Sequence, residues 1–245
     1  MLDRYSSYFE ELRARNVLDY ELLVIINNST DATVDIVKKA QRDNKAIRYL
    51  DLKRGGKGLA IVAGFNDALT RPNELIGFVD ADMATSPEEF YKLVKSLHPH
   101  SGVIAARWRS DSIVTKQTLF SPIKSRIFNF IARSLFLFPY SDTQCGAKLF
   151  TREAIAYVCP RMSITKWAFD IDLLYKLRAG GFSIIEIPTV WQSKEESHLR
   201  VIHASLEMFL AIVRLRLIHS PFSFIVRAYD SLPKGLKIHH RFWKL

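Results

Sequence analysis

The sequence predicts an α/β protein with a mostly parallel sheet and helices on both faces. Apolar runs of strand length alternate with helix-patterned segments along most of the chain. Two carboxylates, Asp80 and Asp82, stand where the third apolar run leaves the core. In sheets of this kind ligands collect beyond the carboxyl ends of the strands.

The elements follow in order. YELLVII, Tyr20 to Ile26, is a strand. NNSTDATVDIVKKAQ then supplies turn and cap residues before a helix whose apolar positions Val34, Ile36, Val37 and Ala40 share one broad face. AIRYLDL is the second strand, and GGKGLAIVAGFNDAL opens a second helix after a glycine pair. ELIGFVD is the third strand. In SPEEFYKLVKSL, Ser86 is the N-cap, Pro87 the first helical residue, and Glu88 and Glu89 fill the first turn. GVIAAR is a further strand. SDTQCGAKLFTREA, Ser141 to Ala154, is a polar non-helical stretch; TKWAFDIDLLYKLRAGGFSIIEIPTVW holds a helix, a Gly-Gly stop and a strand ending in Pro188. From about Pro221 the chain is basic and loses periodicity, which predicts a surface extension over 221–245. With no repeat or linker, residues 1–220 are expected to form one domain.

Composition bounds the function. A chain of 245 residues with 48% hydrophobic content can bury a sizeable core. The net charge of +10 calls for an anionic partner: nucleic acid, an acidic membrane surface or a phosphorylated substrate. The basic residues form no recognisable nucleic-acid motif, so nucleic acid is not expected. Cys145 and Cys159 give neither a disulfide framework nor metal-ligand spacing, which fits a reducing compartment. No signal-peptide pattern stands out, and no apolar run reaches the ~18 residues of a membrane span. Ile127 to Phe138 comes nearest but is short and carries Arg133. A soluble or membrane-surface protein is therefore expected.

Two motifs carry chemistry. Asp80 and Asp82 are hard oxygen donors on a tight turn, suited to Mg²⁺ or Mn²⁺. Their other reading is helix capping or plain solvation, although Ser86 already fills the cap. RGGKG, Arg54 to Gly58, joins a strand to a helix and offers backbone N–H groups and Lys57 to an anion. Its spacing is not that of a Walker loop, and a simple glycine turn with a solvated lysine is its alternative. The histidines His98, His100, His219, His239 and His240 make no ligand set with the acids.

GGKG, DAD, DTQCGAKLFTREA, WAFDIDLLY and EIPTVW, in that order, resemble glycosyltransferase family 2. Within it they are most similar to the polyprenyl (dolichyl) phosphate sugar synthases. The similarity runs from about Tyr20 to Leu217. It implies the GT-A fold, with a nucleotide-binding half at about 20–107 and an acceptor half at about 108–220. It also implies transfer of a sugar from UDP-glucose or GDP-mannose to a lipid phosphate, with inversion and with Mg²⁺ or Mn²⁺. Asp82 would then lie on the metal and Asp80 near the ribose or metal. Asn27 and Asn28 fall at the nucleotide base, and Asp170 near the sugar or acceptor.

Elementary chemistry agrees with that reaction. A leaving diphosphate needs cationic partners, for which Lys57 and Arg107 are the candidates. A phosphate acceptor is already anionic and needs a cationic seat rather than a general base. In SPIKSRIFNFIARSLFLF, Lys124, Arg126 and Arg133 interleave with Ile127, Phe128, Phe130, Ile131 and Leu135. That segment is either a membrane-interface helix that seats a lipid phosphate or a core helix with solvated arginines; Ser197 to Leu217 has the same two readings. Arg126, Gln144, Lys148, His198 and Arg200 are the acceptor-phosphate candidates, His198 standing where the family has lysine.

Three departures shape the expectation. The family's opening Pro-x-Tyr-Asn-Glu strand is missing, and MLDRYSSYFEELRARN begins at the helix that follows it. In the family that strand lies between ELLVIIN and ELIGFVD. Those two are therefore expected to close up or to leave a slot, with an upstream strand in the active protein. Asn27–Asn28 replaces the usual acidic pair: an amide carbonyl still accepts a hydrogen bond but lacks the charge. Ala84 stands where mannose synthases carry a further metal-ligating Gln, which favours the glucosyl branch and UDP-glucose. The expectation is a peripheral enzyme at a cytoplasmic membrane face. Its alternative is a catalytically weak paralogue that binds nucleotide sugar, membrane or a partner.

Overall fold

The alternation is present in a computed structural model that describes residues 1–115, 120–162, 168–192 and 201–231, side chains at 120–125, 201–208 and 227 excepted. Helix α1 (Leu2–Ala14) precedes β1 (Leu22–Asn27), α2 (Thr33–Asp43), β2 (Ile47–Leu52) and α3 (Lys57–Leu69). Next come β3 (Leu75–Val79), α4 (Pro87–Ser96), β4 (Gly102–Ala106) and β5 (Ile113–Thr115). Helix α5 (Phe120–Phe136) leads to β6 (Ala147–Thr151), α6 (Arg152–Val158), α7 (Phe169–Ala179), β7 (Ile184–Pro188) and β8 (Val190–Gln192).

β1 and β2 pair in parallel, from Leu22 opposite Ile47 to Asn27 opposite Leu52. The second sheet has the order β3-β6-β4-β7. Its β4–β7 pairing is parallel, but β6 lies antiparallel to both β3 and β4. The sequence does not announce this reversed strand: AKLFT is short and follows a polar run. β5 and β8 form a small parallel pair. β1 and β3 have not closed up; among the described residues each is bonded on one side, to β2 and to β6.

The core is built from the predicted elements and from the unannounced β6. Leu93 of α4 and Leu97 just after it pack against Val103, Ala105, Ala147 and Leu149, with Phe90, Ile185 and Trp191 around them. Ile26, Val37 and Ile47 form the core beside β1. The α4 cap is as expected, with Ser86 Oγ accepting from Glu89 N at 3.4 Å. Glu89 does more than favour the dipole, because its carboxylate accepts from Val190 N at 2.9 Å and ties α4 to β8.

The chain forms two compact units, Met1–Ser197 and His198–Leu245. The second contains α8 (Val201–Ile218) and α9 (Ser223–Ser231). α9 corrects the expectation of an aperiodic tail from Pro221. SFIVRAYDS is amphipathic at helical spacing; Val226 is buried, and Asp230 meets Arg214 of α8 at 2.8 Å. Among the described residues no helix is long and apolar enough to cross a membrane.

Helix α1 reaches the acidic turn. Tyr5 and Phe9 are buried against Phe90, and Tyr5 Oη donates to Thr85 O at 2.9 Å. Burial, then the charges of Glu88 and Asp82, push the Tyr5 phenol well above its ordinary pKa, so it stays a donor. Tyr5→Phe leaves a buried carbonyl unpaired and should cost about 1–3 kcal/mol in urea unfolding. Unchanged stability would show that α1 is held by ring packing alone.

Candidate active site

β3 ends at Val79, and the next residue, Asp80, donates its N–H to Gly146 O at 2.9 Å. The chain then turns through Met83, whose φ of +64° lies in the left-handed region. For a side-chain-bearing residue that costs about 1–3 kcal/mol. Neighbouring bonds hold it: Asp82 Oδ1 accepts from Ala84 N, and Ala84 O accepts from Gln192 N, both at 2.9 Å. Gly146 presses against the first acid so closely that a Cβ there would meet Asp80 Oδ2 at 2.1 Å. The sequence places an acid pair; glycine opposite it makes the room.

Lys57, the first residue of α3, meets the two Asp80 carboxylate oxygens at 2.8 and 2.9 Å. Its loop is tied to β1 by Gly56 N donating to Asn27 Oδ1 at 2.9 Å. Burial works to lower the Lys57 pKa, but the carboxylates of Asp170 and Asp80 outweigh it and hold the ammonium above its ordinary value. The group is a fixed cation beside the acids.

Beneath it lies a buried ion pair. Lys148 of β6 is fully buried, and its Nζ donates to Asp170 Oδ1 and Cys145 O, each at 2.6 Å. Asp170 in the first turn of α7 is 3% exposed. A second pair joins Arg107, just after β4, to Asp142: Nε to Oδ2 at 2.6 Å and Nη2 to Oδ1 at 3.0 Å. Burial disfavours both charges, yet each partner outweighs it, raising the Arg107 pKa and lowering that of Asp142. Burial likewise pushes the Cys145 thiol up to about 12, so it is a packed thiol and no nucleophile.

The structure thus brings Lys57, Asp80 and Asp82 together at the strand end and puts Asp170, Lys148 and Arg107 around and below them. Lys148 and Arg107 were expected as anion-binding cations. As placed, each spends its charge on a buried carboxylate, because a lone buried ammonium or guanidinium is too costly. Asn27 uses its amide oxygen on Gly56, and Asn28 adopts φ +55°, a conformation asparagine tolerates well. Gln144 Nε2 is buried without a hydrogen-bond partner among the described residues. Arg126 is exposed, its guanidinium carbon 5.0 Å from the Trp108 ring centroid. His198 and Arg200 lie outside the described residues.

Asp142 was missed, although it opens the DTQCG stretch. A lone carboxylate just before a strand buried on both faces was the available signal. Asn129 of α5 and Glu186 of β7 complete its setting, Glu186 accepting from Ser141 N at 2.7 Å and Asp142 N at 2.8 Å.

Among the described residues no cluster of three or more His, Cys, Asp or Glu is arranged for a metal. The two turn acids nonetheless fit Mg²⁺ or Mn²⁺, which binds through one or two carboxylates and completes its shell with water and phosphate. Asp82 is exposed, and one of its oxygens has no bond among the described residues.

The Glycosyl transferase family 2 profile matches residues 7–158. The chain belongs to glycosyltransferase family 2. A human dolichyl-phosphate beta-glucosyltransferase is 32% identical to this family 2 chain, over 88% of it and 70% of the relative. A relative of the same name from Dictyostelium discoideum is 29% identical over 88% and 68%. The chain thus spans about two thirds of that relative's length. Its fold is GT-A. A glucosyl-3-phosphoglycerate synthase from Mycobacterium tuberculosis, solved with Mn²⁺, UDP and phosphoglyceric acid, superposes with a TM-score of 0.63. That match is 16% identical over 88% of this chain and 73% of the other. A mannosyl-3-phosphoglycerate synthase from Rubrobacter xylanophilus gives 0.58 at 17% identity, over 96% and 75%.

The buried pair can be tested without substrate. Asp170→Asn keeps the shape but strands the Lys148 ammonium, so unfolding free energy should fall by about 3–5 kcal/mol. Lys148→Met with Asp170→Leu should recover most of it in the same urea titration. Full stability of Asp170→Asn would mean that the pair does not anchor the site.

Proposed function

We propose that the chain transfers glucose from UDP-glucose, rather than mannose from GDP-mannose, to a polyprenyl (dolichyl) phosphate. The observation that carries the reading is the acid pair and Lys57 at the carboxyl end of β3, inside a chain whose relatives bear that activity in their names. Ala84 caps the acidic turn with a methyl where a ligating side chain would favour mannosyl chemistry, which supports the glucosyl branch.

In this account residues 20–107 bind the nucleotide sugar and 108–220 the acceptor. Asn27 and Asn28 face the base side. Asp82, with Asp80, holds Mg²⁺ or Mn²⁺, which supplies positive charge at the diphosphate. Lys57 adds a second cation there. A phosphate oxygen of the acceptor attacks the anomeric carbon from the face opposite the departing UDP, so the configuration inverts. No proton need be removed from the acceptor. Asp170 acts from below, through Lys148 and through its field on Lys57.

The acceptor reading rests on α5. Ile127, Phe130 and Leu137 are 55%, 70% and 77% exposed, at helical spacing on one side of the helix and the turn that follows it. Arg126 and Arg133 are exposed on the same side. Basic and apolar groups together suit a lipid phosphate and its chain at the cytoplasmic membrane surface. His198 and Arg200 stay acceptor-phosphate candidates on the family resemblance alone. A weak catalyst that mainly binds nucleotide sugar is the second reading, favoured by the uncharged Asn27–Asn28 pair.

Calorimetry and a transfer assay with UDP-glucose and a short polyprenyl phosphate test the proposal. UDP-glucose should bind only with Mg²⁺ or Mn²⁺, Asp82→Ala should lose binding, and the lipid phosphate should gain glucose. Equal binding in EDTA would remove the metal role, and binding without transfer would favour the second reading.

A further inference from the structure

Four side chains form a run of cation–π contacts where the two proposed halves meet. The Arg107 guanidinium carbon lies 5.1 Å from the Trp191 ring centroid and 5.4 Å from that of Trp108. The other cation against Trp108 is Arg126, at 5.0 Å. The order is therefore Trp191, Arg107, Trp108, Arg126. Its inner end is rigid, because Arg107 is held by both Asp142 oxygens and its backbone N–H donates to the same carboxylate at 3.0 Å. Its outer end is exposed. Among the described residues Arg126 makes no ion pair or hydrogen bond, and the Trp108 face is its recorded partner.

An exposed arginine loses rotamer freedom when it binds an anion. A ring face that holds the guanidinium plane beforehand lowers that cost and leaves the N–H edge free for phosphate oxygens. We infer that Trp108 is a positioning residue, which presets Arg126 for the acceptor phosphate and is itself fixed by the buried Arg107–Asp142 pair. This rests on the reading of Arg126 as part of the acceptor seat. Trp108 touches neither reacting group in this account. Its effect is confined to acceptor affinity.

The test is a double-mutant cycle read by calorimetry, with a short-chain polyprenyl phosphate as probe and UDP-glucose with Mg²⁺ as control. Trp108→Leu should weaken phosphate binding by roughly two- to fivefold, the scale of an exposed cation–π contact. UDP-glucose affinity should change less than twofold. Trp108→Phe keeps a ring face and should lose less. In an Arg126→Ala background, Trp108→Leu should have no further effect on the phosphate. Should Trp108→Leu fail to fold, Trp108→Phe in Arg126 and Arg126→Lys backgrounds carries the same comparison, its loss shrinking when the planar guanidinium is gone. Equal losses with and without Arg126, or a parallel loss of UDP-glucose binding, overturn the inference. If Arg126→Ala leaves phosphate affinity unchanged, or the wild type binds no such phosphate, the acceptor seat itself is wrong.

Discussion

The site depends on one buried ion pair, Lys148 with Asp170, which crosses from β6 to α7. β6 runs between β3 and β4, so the residue before it, Gly146, lies against Asp80, and the lysine two residues on points into the layer below. A buried ammonium demands a carboxylate, which fixes the start of α7. That carboxylate then helps to hold Lys57 cationic. The exposed chemistry at the strand end is thus set by charges that solvent never reaches.

A second pair, Arg107 with Asp142, does the same for the neighbouring wall. Both pairs cost desolvation and contribute little net stability over apolar substitutes. What they supply is placement, with the end of β4, the DTQCG turn and α7 each pinned at the charged group. Arg107 extends that rigidity outward through the Trp108 indole toward Arg126 of α5.

The alternation, the acidic turn and the α4 cap could be read from residue patterns because each is local. Strand runs, an N-cap with acids in the first turn and carboxylates after an apolar run lie within about a dozen residues of each other. Other features were hidden because they are long-range. AKLFT does not say that it will run antiparallel between β3 and β4, and β5 and β8 pair across a gap in sequence that no pattern spans. Lys148 looked like an anion-binding lysine, since lysine is rarely buried; its partner stands 22 residues on. Asp142 left only a weak local signal, and its partner Arg107 stands 35 residues away. α9 carries an amphipathic pattern of its own in SFIVRAYDS, overlooked among the basic residues around it.

The central claim is that the Asp80–Lys57 corner is the seat of a nucleotide diphosphate. Calorimetric titration of UDP and of uridine, with Mg²⁺ present, into wild type and Lys57→Gln tests it most directly. A charge-assisted contact of about 1.5–3 kcal/mol predicts that UDP binding weakens roughly ten- to hundredfold while uridine binding stays the same. Unchanged UDP affinity, or an equal loss for both ligands, would contradict it.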